Sequence, residues 1–289
     1  MNSYGKVYHL GTREVSGILD MPVYVEEKVD GSQFSFGKKD GELWVASRGG
    51  FKPLDTDDKM FTGAIATAVA ALPSLIEGWT FRGEAMRGER HNKLTYGRVP
   101  PGNFMLFDVQ DEEGRSLGRP MVEECAVTLN VEPVALVAPA GHYSRAQLDE
   151  LVVGQSALGR CDREGIVIKQ VPHEGKRLKA KIVGAAFREK VGAKPKKGSD
   201  IAAIVAQYRT EARWDKQIQH LRDEGKLTQS MKDVGPLMKE LASDLQEECH
   251  DEIKAVLWPK IWKQIVKGIS RGMPEYYRMN LGREEEVND

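Results

Sequence analysis

Cysteine is scarce in this chain and poorly placed for its structural uses. The three cysteines among 289 residues, Cys125, Cys161 and Cys249, lie far apart, are odd in number and form no C-x-x-C pair. A disulfide framework and a zinc knuckle are thereby excluded, and a reducing, cytoplasmic compartment is expected. Net charge is missing too: 42 Lys+Arg against 43 Asp+Glu leave −1 at pH 7. A uniformly basic nucleic-acid binder is ruled out, and any charged partner must be met by a local patch. No apolar run is long enough to span a bilayer, since the most apolar stretch, Gly63 to Ile76, is short and broken by Pro73. The opening MNSYGKVYHL lacks the basic-then-apolar order of a secretory leader. A soluble protein that meets no membrane is expected. The six histidines show no metal-ligand spacing with a carboxylate or thiol. A glycine-rich phosphate loop is also absent, so bound phosphate would rest on lysine and arginine rather than on a helix N-terminus.

What is present is ample apolar material, 40% of residues, with 29% charged, enough for one large or two smaller cores. The first two thirds read as short β-branched and aromatic runs between glycine turns. Val23 to Lys28, Gln33 to Gly37 and Leu43 to Ser47 are expected strands lying close together, with Asp40-Gly41 marking a tight hairpin between the last two. Thr80 to Ala85, Asn103 to Val109 and Gly165 to Gln170 have the same character, and Met60 to Ala71 reads as a helix. At residues 192–199 the composition turns polar and proline-bearing, which marks a linker. Beyond it, Ser199 or Asp200 can cap a helix carrying Ile201, Ile204, Val205 and Tyr208 and ending near Gly225, while Pro236 and Pro259 are expected to open two more. The acidic end Glu284 to Asp289 reads as a frayed tail. The expectation is an α+β fold: residues 1–192 with antiparallel or mixed sheets, then an all-helical domain at 193–289.

The densest chemistry lies at Glu26-Glu-Lys-Val-Asp-Gly-Ser-Gln-Phe34, where a strand delivers Lys28 to a turn opened by Asp30-Gly31. A lysine becomes a nucleophile only when deprotonated, through desolvation or nearby positive charge. Further segments follow in order: Ser47-Arg48-Gly49, Phe81-Arg-Gly-Glu84, Asn103-Phe-Met-Leu-Phe-Asp-Val109, Glu164-Gly-Ile-Val-Ile-Lys169 and Leu178-Lys-Ala-Lys181. Glu164 opens a strand and is a natural site for a hydrated Mg²⁺ beside phosphates. Lys179 and Lys181 share a face of a strand, so they can meet one phosphate together and depress the pKa of Lys28 by repulsion. Of the two phenylalanines Phe104 and Phe107, alternation lets one face a given side of the sheet.

This ordered set, over residues 28 to 181, resembles the covalent nucleotidyltransferases, the superfamily of ATP-dependent ligases and mRNA capping enzymes. The resemblance implies that Lys28 attacks the α-phosphorus of a nucleotide and carries it as a phosphoramidate. It further implies that Arg48 and Glu84 contact the nucleotide, Glu84 at the ribose, and that Glu164 works with the metal and Lys179 and Lys181 with the phosphates. By position before Asp108, Phe104 is taken as the base platform and Phe107 as core. Glu26, on the face of Lys28, is the candidate acceptor for the adenine amino group, with Glu27 as the alternative.

Residues 200–289 lack the strands of an OB-fold barrel, and a helical appendage resembles phage-type RNA ligases of the RNA ligase 2 kind, as does the looser segment Glu84 to Gly97. Gln33 departs from that kind, which carries asparagine there. The resemblance implies an ATP-dependent ligase acting with Mg²⁺, or Mn²⁺ in its place. Its partner would be RNA with a 3′-hydroxyl and a 5′-phosphate, in a nicked duplex or as single strands, and the enzyme a monomer engaged in RNA repair. The alternatives are a GTP-using capping-type enzyme and a non-catalytic nucleic-acid-binding relative. Charge is local: ten Lys+Arg against two acids from Lys169 to Lys197, and eight acids against three arginines from Asp111 to Glu150. Lys254, Lys260, Lys263, Lys267 and Arg271 also occur with no acid among them. The K-x-K strand and linker are the expected nucleic-acid contact.

Overall fold

Alternation between apolar and polar residues along the strands puts one face of each of two sheets into a core and turns the other, charged face inward on a shared cleft. The computed structural model describes residues 4–56, 59–173, 177–184 and 201–278. They form two units, Met1–Arg188 with Asp215–Leu237, and Glu189–Trp214 with Met238–Asp289. The expected boundary at 192/193, the caps Ser199 and Asp200, the acidic tail, and Lys176, Arg188, Lys190, Lys194, Lys196 and Lys197 of the basic stretch lie outside the described residues. In one respect the units depart from that boundary: Asp215–Leu237 group with the first.

In the first unit the strands are β1 (Tyr8–His9), β2 (Val23–Lys28), β3 (Ser32–Lys39), β4 (Glu42–Ser47), β5 (Gly50–Phe51), β6 (Thr80–Ala85), β7 (Phe104–Gln110), β8 (Glu132–Pro133), β9 (Leu136–Gly141), β10 (Gly165–Gln170) and β11 (Lys179–Val183). One mixed sheet has the order β1-β11-β10-β2-β9 and the other β5-β4-β3-β6-β7-β8. The three N-terminal strands expected to lie together are therefore divided. β2 belongs to one sheet and the β3–β4 hairpin to the other, with Val29-Asp30-Gly31 making the passage. Asp40 (φ 53°) and Gly41 (φ 80°) both adopt the left-handed conformation that a two-residue hairpin turn requires.

Val23 and Val25 of β2 pack with Ile166, Ile168, Ala180 and Ile182 on the outer face of the first sheet, where Leu148 of helix α3 (Arg145–Leu151) and the following Val152 cover them. Phe34, Phe36, Val45, Phe81, Phe104 and Leu106 form the outer face of the second sheet, beneath helices α1 (Thr62–Ala71) and α2 (Arg119–Thr128). These two cores leave Tyr24, Glu26, Lys28 and Lys169 on one inner face and Ser35, Arg82, Glu84 and Asp108 on the other. Contact between the faces is direct, for Lys169 Nζ donates to the carbonyl of Phe107 at 2.6 Å.

Helices α4 (Ile201–Tyr208), α5 (Glu211–Asp223) and α6 (Val234–Ile269) replace the expected pattern. The helix expected to run to Gly225 is broken at Thr210, whose hydroxyl accepts from the amide of Arg213 at 3.2 Å and so starts a new one. Gly225, in the left-handed region at φ 70°, follows the end of α5 as expected. Pro259 does not open a helix but lies inside α6. Proline removes one backbone hydrogen bond, and the helical spacing on either side lets the helix resume in phase. Within the second unit, Ile204 and Tyr208 pack on Cys249 and Val256, and the buried Arg213 is paired with Asp244. No helix among the described residues is long and apolar enough to cross a membrane.

Candidate active site

Lys28 closes β2, and Glu164 immediately precedes β10, its antiparallel neighbour, in which Gly165 pairs with Lys28. The register brings the two side chains together, Nζ to Oε2 at 2.6 Å. Burial alone would push the Lys28 ammonium down, but Glu164, with Glu84 and Asp30 behind it, outweighs this and holds Lys28 above the ordinary lysine range. Glu164 in turn is raised by burial against the pull of Lys28 and Lys181. The resting lysine is therefore protonated. This corrects the expectation that Lys179 and Lys181 depress it, because a carboxylate in contact outweighs lysines further along the sheet.

The turn after Lys28 is held from several sides. The Asp30 carboxylate accepts from the amides of Lys93 and Leu94, both at 2.8 Å, and from Asn92 at 3.2 Å. The amide of Asp30 donates to the Tyr96 hydroxyl at 2.7 Å. A Cβ on Gly31 would lie 2.9 Å from the carbonyl of Ala85 and 3.2 Å from Glu84 Oε2, so only glycine lets β6 approach. Glu84 is thus pressed against the turn, and its Oε2 is buried without a hydrogen-bond partner. Burial pushes Glu84 up to about 8, opposed by Lys28 and assisted by Glu164 and Asp223.

One step along the sheet, Glu26 is closed in by Lys169 Nζ at 2.6 Å and Arg119 Nη1 at 3.0 Å. Lys169 is held above the lysine range, burial being outweighed by Glu26. Glu27 places Oε2 on the amide of Ala157 at 2.9 Å, while its Oε1 is buried and unpartnered. Lys179 and Lys181 do share a face, but they are engaged differently. Lys181 pairs across β10 with Val167 and adds positive charge at Glu164. Lys179 lies under the ring of Tyr4, Nζ 3.1 Å from the centroid, and donates to the Tyr4 carbonyl at 2.9 Å. Burial pulls Lys179 down to about 7, and Lys169, Arg82 and Arg177 push the same way.

β7 carries a bulge. Leu106 pairs with Gly83 and Asp108 with Arg82, leaving Phe107 as the extra residue. The bulge turns Phe107 toward the cleft, where its ring lies 5.0 Å from that of Tyr4 and 5.3 Å from Lys169 Nζ. Phe104 is fully buried in the outer core against Phe34 and Phe36.

The RNA ligase family model matches residues 21–183, more than half of the chain. The chain belongs to the RNA ligase family. No curated protein matches it. Solved structures of the Naegleria gruberi RNA ligase share the fold. A glutamate-to-alanine variant with AMP and Mn gives a TM-score of 0.52 at 18% identity, over 65% of this chain and 58% of that one. An aspartate-to-alanine variant in the apo form gives 0.51 at 19%, over 63% and 56%. A lysine-to-alanine variant with ATP and Mn gives 0.50 at 19%, over 63% and 56%. The chain thus spans just over half the length of the Naegleria chains it matches.

In this RNA ligase family member, Lys28, Glu84 and Glu164 lie together, and Lys181 adds positive charge at Glu164. Arg48 is exposed on the turn between β4 and β5, and Asp223 adds a nearby negative charge. Two placements are corrected. Phe104 is core and Phe107 faces the cleft, because the bulge interrupts the alternation. Glu26 is saturated by Lys169 and Arg119, and Glu27, paired with Ile166, lies on the face of the sheet opposite to Lys28. Arg119, Tyr4 and the Asn92-to-Tyr96 loop were not read from the sequence, although the Tyr-Gly segment signalled that loop. The buried Glu84 makes a titration prediction. Its folded pKa lies above that of an ordinary glutamate, so its stabilising contribution is full below about pH 4.5 and is lost as pH rises toward about 8. Glu84→Gln should therefore gain in thermal midpoint over the wild type across that window and hold the gain above it, as followed by thermal denaturation at stepped pH.

Proposed function

We propose that the chain is an ATP-dependent RNA ligase that joins a 3′-hydroxyl to a 5′-phosphate through lysyl-AMP and RNA-adenylate, closing breaks in RNA. The observation that carries this reading is the contact of Lys28 with Glu164 at 2.6 Å, in a cleft also lined by Lys181, Glu84 and Phe107. Lys28 stores its proton on the contact that can remove it. Glu164 Oε2 is in place as acceptor, so the transfer is short in distance, and burial of the carboxyl reduces its cost. The neutral Nζ then forms a bond to the α-phosphorus of ATP while the bond to the bridging oxygen of pyrophosphate breaks. Lys181 and Arg48 offset the charge that develops. The adenylate next passes to an RNA 5′-phosphate, and attack by a 3′-hydroxyl releases AMP and closes the strand.

For the nucleoside, Phe107 offers its ring face to the base and Glu84 Oε2 an open partner to a ribose hydroxyl. Among the described residues no three His, Cys, Asp or Glu side chains converge as a ligand set. A single buried carboxylate suits an ion that keeps most of its water shell, as Mg²⁺ does, and Glu164 is the residue that would hold it. When bound, such an ion supplies positive charge beside Lys28 and the phosphates. The Naegleria ligase solved with ATP and Mn supports a nucleotide and a divalent cation here.

The test is transfer of label from α-labelled ATP to the protein, followed by sealing of a nicked RNA duplex. Label from ATP and none from GTP is expected; label from GTP would assign a capping-type activity instead. Stacking is worth about 1–3 kcal/mol per base, so Phe107→Ala should raise the KM for ATP roughly tenfold or more with the fold intact. Phe104→Ala should instead cost about 3–5 kcal/mol of stability, read by denaturant titration.

A further inference from the structure

Helix α5 begins far along the chain from the motifs, yet its last turns sit on two of them. Gln219 Nε2 donates to the carbonyl of Gly31 at 2.9 Å, alongside Asn92 Nδ2 at 3.1 Å. Ser32, the next residue, donates its hydroxyl to Asp223 Oδ1 at 2.9 Å and lies 2.9 Å from His91 Nε2. His91 Nδ1 accepts from the amide of Arg87 at 3.0 Å, so Nε2 carries the proton and donates to Ser32. The chain of donors therefore runs in one direction, from Arg87 through His91 and Ser32 to Asp223. A catalytic triad would need Ser32 to lose its proton to His91, and this polarity is the reverse.

The same helix end holds the turn that carries Arg48. Ser47 donates its hydroxyl to the carbonyl of Asp223 at 3.2 Å and accepts from the amide of Gly49 at 3.3 Å. A Cβ on Gly49 would lie 2.7 Å from Glu224 Cα, so glycine is what allows the turn to pass beneath the helix. Ser32, His91 and Asp223 are all buried. The helix end is thus fastened to the turn after Lys28 on one side and to the Arg48 turn on the other. These fastenings make Asp215–Leu237 part of the first unit although the sequence places it among the helices.

We propose that Gln219 and Asp223 are positioning residues of the adenylylation site. They act as a brace that fixes the Gly31-Ser32 turn, and through it Lys28, relative to Arg48. The proposal rests on the ligase reading for its chemistry, since Lys28 and Arg48 are the groups held in register. Neither Gln219 nor Asp223 touches the reacting atoms. Misplacement of reacting groups by about 1 Å costs on the order of a hundredfold in rate, so the brace acts on the rate of attack rather than on nucleotide affinity.

The experiment uses the full chain. Asp223→Ala should slow label transfer from saturating α-labelled ATP by at least about tenfold with the KM for ATP little changed. Asp223→Asn, which retains an acceptor for Ser32, should recover most of the rate. Ser32→Ala combined with Asp223→Ala should be no slower than Asp223→Ala alone, because both remove one link. Asp233→Ala removes a cap in the same segment, on Thr228 and Ser230, away from both turns, and serves as the stability control with an unchanged rate. Wild-type rates in Asp223→Ala, or an equal loss in Asp233→Ala, would overturn the brace. Amide exchange at residues 31–32 and 48–49 judges it independently of catalysis. Lost protection at both turns in Asp223→Ala supports it, and unchanged protection defeats it, even should the wild type take no label from ATP and the ligase reading fall.

Discussion

Lys28→Ala should leave the protein folded and wholly unlabelled by α-labelled ATP. The expected loss is complete, because no neighbouring group takes over. Lys181 shares the inner face but sits opposite Val167, across the sheet from Lys28. Lys179 is engaged by Tyr4, and Lys169 is locked to Glu26. Lys28→Arg should fail as well, since a guanidinium keeps its proton at any working pH. Removing the ammonium leaves Glu164 and Glu84 buried without their cation, and both become easier to protonate, so circular dichroism should report a native fold. Persistent label in Lys28→Ala would place the nucleophile elsewhere.

Glu26→Ala carries the second large effect, and it falls on stability. Glu26 and Lys169 are both nearly inaccessible to solvent, and the carboxylate also meets Arg119. Breaking such a pair leaves a buried cation uncompensated, which costs about 3–5 kcal/mol. Denaturant titration should therefore show a loss on that scale, with Glu26→Gln losing less because it still accepts hydrogen bonds. Were Glu26 the adenine contact, the change would instead raise the KM for ATP in a protein of normal stability. The two outcomes are cleanly separable.

Glu26 and Phe104 mark the limit of what alternation along a strand encodes. Strands β2, β6 and β10 were legible to the residue, because each is a β-branched or aromatic run that meets its motif at a turn. The resemblance places Lys28 and Glu164 in one site, and their contact comes from the register of β2 with β10. Parity along a strand could not foresee the bulge that turns Phe107 inward, since a bulge depends on the partner strand. Nor could it show that Glu26 meets two cations, one of them Arg119 from the start of a helix that went unread. Helix α3 did carry a readable start, the Ser144-to-Gln147 capping box. The two-residue strands β1, β5 and β8 carry too little pattern to read. Residues 215–237 were assigned by composition to the helical domain, and only their contacts show where they belong.

The passage from β2 to β3 has a mechanical meaning. Three residues carry the chain from one sheet to the other, and Lys28 is the last residue before the crossing. A second short joint, Val134-Ala135 between β8 and β9, also crosses between the sheets, but of these two only the first begins at the nucleophile. Any tilt of one sheet against the other therefore loads a joint only Val29, Asp30 and Gly31 long, with Lys28 at its end.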